Sequence, residues 1–222
     1  MSILNVKNKD GSKSPVLAIK VIKSDLDDYF NGVFTQYTLP KAKQIKRYAF
    51  YKDTKIQRIT MPSVTEIGTY AFSECTNLVE AELPSTLTAL GNSAFNKCTN
   101  LVISKIPDSV TSIGEYAFFN CTKATFSKLP PNLTALKTYT FYGCTGVTIK
   151  EIPASVTSIA NRAFSGCKGL TEITFKGTPT INANVFEYCT NLLTINVPWA
   201  EGEVANAPWG APNATINYNY VG

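Results

Sequence analysis

Six cysteines have the most chemistry to offer in this chain. Cys75, Cys98, Cys121, Cys144, Cys167 and Cys189 could in principle pair as disulfides, hold a soft metal or act as nucleophiles. Their surroundings argue against all three. The chain has no C-x-x-C and no histidine, so the sequence gives no sign of a zinc site and rules out Cys-His and Ser-His-Asp catalysis. All six also occupy one position of a repeating unit. In a parallel stack they would point the same way, without the close approach and crossed geometry that a disulfide needs. They are expected to be buried free thiols that pack as small hydrophobes.

The other chemistry on offer is carboxylate. Glu80 with Glu82, or Glu172 opposite Glu151, could pair across short strands. Glycoside hydrolysis needs such a pair in a closed pocket, and these residues lie at repeat positions of an open sheet. No Gly-rich phosphate loop is present. The expected protein is therefore not an enzyme and needs no cofactor or metal.

The cysteines are placed by a period. Each follows by three residues one of the phenylalanines Phe72, Phe95, Phe118, Phe141, Phe164 and Phe186, and Phe50 begins the series with Asp53 in the Cys position. The Phe spacing is 22 or 23 residues throughout. A period of this length signals a solenoid, each repeat one coil stacked on the next. An apolar-Pro pair recurs with it, as in Leu83-Pro84, Ile106-Pro107, Leu129-Pro130 and Ile152-Pro153. So does Ile67-Gly68, Leu90-Gly91 and Ile113-Gly114, before it degrades to Leu136-Lys137 and Ile159-Ala160.

Mechanically, Leu78, Ala81 and Leu83 read as a short strand that Pro84 ends by removing a ladder donor. A second extended piece runs from Leu87 to Leu90, and Gly91 is expected to relax the backbone for a corner. Ala94, Phe95 and Cys98 suit one inward-facing helical turn. Asp53 in place of Cys fits a coil nearer solvent. The fold class is thus an α/β solenoid of mostly short parallel strands with short helical or 3-10 turns, about seven rungs long and capped at both ends.

The stretch Ile106-Pro107-Asp108-Ser109-Val110-Thr111-Ser112-Ile113-Gly114-Glu115-Tyr116-Ala117-Phe118-Phe119-Asn120-Cys121 resembles the BspA-like leucine-rich repeats, and Leu83–Cys98 and Ile152–Cys167 match almost as well. The resemblance spans roughly residues 39–198. It implies a leucine-rich-repeat solenoid and a bacterial surface or secreted protein that binds host proteins or other cells, as an adhesin does. It brings no catalytic residues.

Residues 1–38 lack the repeat and read as an N-terminal cap. Leu4–Val6 and Val16–Ile22 flank a turn at Lys9-Asp10-Gly11, and Ser24 with Asp27 opens a short helix through Tyr29 and Phe30. Residues 199–222 hold Trp199 and Trp209 and end in a strand from Ala214 to Val221, an aromatic cap. The start, Met1–Lys7, lacks the shape of a signal peptide. Either an export signal has been removed or the protein is cytoplasmic or particle-associated. In the second case it would be a structural component, part of a surface layer or phage-like particle, with the solenoid as spacer and its aromatic end as an assembly contact.

Net charge is +5, from 21 basic and 16 acidic residues. No nucleic-acid motif accompanies it, so no nucleic-acid partner is expected. No apolar run approaches the roughly 18 residues of a membrane span, so no insertion is expected.

Recognition must then lie in variable positions between the Phe marks. The outward strand position just before the apolar-Pro pair reads Thr60, Glu82, Lys105, Lys128, Glu151, Thr174 and Asn196 down the stack. Solenoids present such a face to partners, and Glu82, Lys105, Lys128, Glu151 and Thr174 are the candidate binding residues for a protein ligand, with a glycan as second choice. Tyr70, Tyr116 and Tyr139, with Tyr48, form a second candidate stripe, which either stacks ligands or packs between coils. Three central repeats depart from the strand rule. Ser104, Ser127 and Lys150 stand where Ala81 and Ile173 are apolar, and a buried unpaired Lys150 would be costly. A bulge or altered strand is expected there, turning those residues outward and Ile103, Phe126 and Ile149 inward.

Overall fold

The computed structural model describes residues 3–7, 13–17 and 35–221. Two strands, β1 (Ile3–Lys7) and β2 (Lys13–Leu17), pair antiparallel, with the second strand starting earlier than the sequence suggested. The turn at Lys9-Asp10-Gly11 and the helix proposed through Phe30 lie outside the described residues.

From residue 35 the chain winds as a solenoid of about eight turns with two columns of short parallel strands. The first column contains β3 (Gln36–Thr38), β5 (Arg58–Thr60), β7 (Glu80–Glu82), β11 (Glu151–Ile152), β13 (Glu172–Phe175), β15 (Thr194–Asn196) and β16 (Thr215–Asn217). The second contains β4 (Gln44–Ile45), β6 (Glu66–Ile67), β8 (Ala89–Leu90), β9 (Ser112–Ile113), β10 (Ala135–Leu136), β12 (Ser158–Ile159) and β14 (Thr180–Ile181). Strand β16 is the terminal strand expected from the sequence, shorter at both ends.

The third wall of each coil, around the Ala-Phe-x-x-Cys segment, is not helical. No helix occurs among the described residues. The residue before Ala and the residue before Cys both take left-handed backbone, as at Tyr70 (φ 56°) and Glu74 (φ 62°). Left-handed residues interrupt any right-handed helix. They also turn alternate donors outward. The N–H groups of Tyr70, Phe72 and Glu74 reach the carbonyls of Asn92, Ala94 and Asn96 in the next coil at 2.9, 2.8 and 2.7 Å. Those of Ala71, Ser73 and Cys75 bond back within their own coil. Every turn thus satisfies itself and ties to its neighbour.

Inside, the seven phenylalanines of the period stack face to face. Successive ring centroids from Phe50 to Phe186 lie 5.1–5.7 Å apart with planes within 13° of parallel. All seven are fully buried. The cysteines run beside them as free, buried thiols. Each Sγ–H donates to the carbonyl of a Phe one coil back, from Cys75 to Phe50 (2.8 Å) through Cys189 to Phe164 (3.0 Å). Asp53 is buried as well, rather than near solvent. Its Oδ1 accepts from the N–H groups of Lys55 (2.8 Å) and Ile56 (3.2 Å) and so closes the first turn.

Gly91 and Gly114 serve close approach rather than a left-handed corner, whereas Gly143 (φ 69°) and Gly166 (φ 73°) take the left-handed place before Cys. A Cβ at Gly114 would meet the nitrogen of Asn92 and the carbonyl carbon of Gly91 at 2.4 Å, and one at Gly91 would meet Thr69 nitrogen at 2.5 Å. Backbone atoms cannot give way as a side-chain tip can. Gly114→Ala is therefore expected to destabilise by about 1–3 kcal/mol, as overpacking does. Urea unfolding measures this, and an unchanged midpoint would disprove the close approach.

Trp209 is completely buried, its indole N–H donating to the Ala205 carbonyl (3.1 Å) and its ring lying 5.6 Å from that of Phe175. Its own carbonyl accepts from Phe186 N–H (2.9 Å). It belongs to the core, so the assembly contact considered for this aromatic end cannot be made by Trp209.

A groove on the outward strand face

Both strand columns are interrupted near the middle of the stack. In the first, β3-β5-β7 and β11-β13-β15-β16 are separate sheets, with no strand over residues 101–106 or 124–129. In the second, β9 does not pair with β10. The cause is local sequence. Ile103, Phe126 and Ile149 turn inward and are buried, while Ser104, Ser127 and Lys150 are exposed, as the burial cost of Lys150 demanded. Phe126 fits because Ala124 stands where other coils carry Leu78 or Leu101, and its ring meets Phe118 edge-on at 4.9 Å. Pro130-Pro131 follows, two residues without N–H donors. The Phe wall continues unbroken, with Phe118 N–H bonded to Thr140 carbonyl at 2.9 Å.

The interruption leaves a groove of about 660 Å³ lined by Ser127, Lys128, Leu129, Pro131, Thr148, Lys150, Glu151 and Pro153. Two residues of the outward stripe, Lys128 and Glu151, line it, and so do two from the altered repeats, Ser127 and Lys150. Pro131 and Thr148 were not foreseen; the doubled proline was the available signal. Glu151 Oε1 lies 3.6 Å from Lys176 Nζ, whereas Lys128 and Lys150 form no ion pair among the described residues. Lys105, one coil away, is exposed and 3.8 Å from Asp108.

Register aligns the stripe where strands exist. Thr60 pairs with Glu82, Glu151 with Thr174, and Thr174 with Asn196. Glu82, Lys105, Lys128 and Glu151 are exposed. Thr174 is only 9% exposed, and its hydroxyl accepts from Asn196 Nδ2 at 3.0 Å. Asn196 also reaches Glu172 (2.9 Å) and accepts from Asn217 (2.7 Å). Thr174 thus belongs to an internal polar ladder and offers little to a partner.

Register sets Thr174, not Glu172, opposite Glu151, and Glu80 is held by Arg58 at 3.1 Å. No group of histidine, cysteine and carboxylate side chains suited to a metal occurs among the described residues.

The tyrosines form two packed clusters on the turn wall. Tyr48 stacks on Tyr70 (5.1 Å) and Tyr116 on Tyr139 (4.8 Å), with Phe119 stacked on Tyr142 (4.8 Å) beside them. Arg162 donates to the Tyr139 hydroxyl (2.9 Å) and to Glu187 (2.6 Å), which raises the guanidinium pKa through the Glu187 hydrogen bond first. Burial raises the Tyr116 phenol, and Tyr139 adds to it. Ring faces are thus largely spent on one another.

A family model described as the BspA type leucine-rich repeat region matches residues 29–104 and 100–206, in six copies. The chain belongs to this family. Among solved structures, a leucine-rich repeat protein of T. pallidum is similar at 28% identity and a TM-score of 0.64, over 71% of this chain and 78% of that one. A leucine-rich cell surface protein of Faecalibacterium prausnitzii shares the fold at 21% identity and a TM-score of 0.55, over 89% of this chain and 70% of that one. No curated protein matches. BspA-type solenoids are generally non-enzymatic. No helix among the described residues is long and apolar enough to cross a membrane.

Proposed function

We propose that this BspA-type solenoid is a protein-binding module of a bacterial cell-surface or secreted protein, and that it recognises its partner through the outward strand face. The observation that carries the reading is the exposed run Glu82, Lys105, Lys128 and Glu151, which crosses the interruption of both strand columns. A continuous sheet face offers side chains alone; an interrupted one adds relief into which a partner can seat. Family membership supports a binding role, and the surface location of the F. prausnitzii relative supports the same location here. Tyr70, Tyr116 and Tyr139 remain secondary candidates, through their exposed edges.

The test applies the labelled full chain to intact host or neighbouring cells. Charge reversal at Glu82, Lys105, Lys128 and Glu151 together is expected to weaken binding at least about tenfold, as loss of electrostatic complementarity does. Equal binding by this variant and the parent chain would refute the assignment of the strand face.

A further inference from the structure

Within that binding face, and resting on it, the geometry points to a narrower site: we propose that the groove between residues 127 and 153 receives an extended, acidic segment of a protein partner. Three observations converge. The first is unpaired positive charge. Glu151 is engaged by Lys176 and Lys105 lies against Asp108, so the free charges at the groove are the ammonium groups of Lys128 and Lys150. The second is open backbone. The N–H groups of Ser127 and Lys128 donate to no acceptor in the fold, because the coils on either side are not in strand register there. Unused donors and ammonium groups both favour negative charge.

The third is shape. The volume of about 660 Å³ falls in the ordinary range for a ligand cleft, room for a few residues of extended chain and not for a folded domain. Leu129, Pro131 and Pro153 supply apolar wall for side-chain stems. The charge order along the stripe sets the length of the acidic stretch. Along the stripe Glu82 and Glu151 bracket Lys105 and Lys128, and Lys150 stands beside Glu151, so a short pair of carboxylates fits the two groove lysines while a long polyanion meets Glu151 in the groove and Glu82 two coils back. That order separates an acidic peptide from a nucleic acid, whose phosphates would run past the lysines onto the glutamates.

The experiment measures fluorescence anisotropy of a labelled decapeptide, two adjacent glutamates flanked by alanines with one lysine near each end, titrated with the full-length chain. Binding that weakens with salt, and at least about tenfold weaker binding of the analogue with glutamine for glutamate, is expected. Lys128→Glu with Lys150→Glu should abolish binding, and Lys128→Gln with Lys150→Gln should weaken it by a similar factor with an unchanged thermal melt. Equal binding of both peptides, no effect of the lysine variants, or tighter binding of a ten-nucleotide single strand would each overturn the proposal. If the peptide fails while charge reversal of the whole stripe still abolishes cell binding, only the groove assignment falls; if both fail, the strand-face reading falls with it.

Discussion

Phe118→Ala is expected to cost about 3–5 kcal/mol, the range for deleting a fully buried aromatic ring without collapse of its site. The site cannot collapse easily. Phe95 lies 5.6 Å away on one side and Phe141 5.7 Å on the other, and Phe126 meets the ring edge-on at 4.9 Å. Each neighbour is tied to the coil after its own, Phe95 N–H to the Ala117 carbonyl and Phe141 N–H to that of Ala163 at 2.8 Å each, and the Phe126 carbonyl to Thr148 N–H at 2.9 Å, so a cavity should remain. Position adds to the cost. In a linear array each coil is stabilised mainly by its neighbours, and a central loss uncouples two halves where an end loss only frays one. At Phe118 both strand columns are already interrupted, so the Phe stack and the turn wall hold the halves together. Urea unfolding followed by tyrosine fluorescence and by circular dichroism should show a lowered midpoint, with the two probes no longer coincident. A loss below about 1 kcal/mol would mean that the ring stack is not what joins the halves.

The core was legible in the sequence because burial follows period. Phe, Cys and the apolar-Pro pairs recur at fixed places, and stacked coils must bury what recurs. The altered central strands were legible for the same reason, since Lys150 could not take the place of Ile173 without an uncompensated charge. The turn wall was not. Tyr70, Ser93, Tyr116 and Arg162 all take left-handed backbone at φ 55–56°. None is Gly or Asn, so local propensity gave no warning and the spacing of Ala, Phe and Cys looked helical. Only the bonds to the next coil, absent from any single repeat, stabilise that conformation.

The stripe was legible as alternation but not in its outcome. Lys128 and Glu151 reach the groove; Thr174, at the same repeat position, is covered by Asn196. The difference lies in the neighbour one coil on, which alternation cannot rank. The groove itself arises in the altered central coils: Ile103, Phe126 and Ile149 turn inward one residue earlier than Ala81 and Ile173 do, Ala124 leaves room for the Phe126 ring, and Pro131 carries no donor. Each was visible as a residue, but the space they leave depends on how far the next coil can follow.

Stability should fall steeply in mild alkali, and the thiol column is the cause. Burial raises the thiols of Cys98, Cys121 and Cys167 well above their ordinary value, and those of Cys144 and Cys189 from 9.0 to about 12. The unfolded chain ionises its thiols near the ordinary value while the folded chain keeps them protonated. Between about 9 and 12 the unfolded state therefore binds fewer protons, and stability declines as pH rises; below that window the contribution is intact. Each thiol kept protonated by the fold adds a slope of at most about 1.4 kcal/mol per pH unit once its counterpart in the unfolded chain has ionised. Tyrosine and lysine also titrate in this range, so the decisive measurement is a comparison. Cys144→Ala should be less stable than the parent at pH 8.5, having lost packing and the Sγ–H bond to the Phe118 carbonyl. Its decline toward pH 10.5 should be shallower by about 1.4 kcal/mol per unit, so the two curves converge, because one ionising group has been removed from the unfolded chain alone. Parallel curves would show that Cys144 is not held protonated by the fold, and the thiol column would lose its part in the alkaline limit.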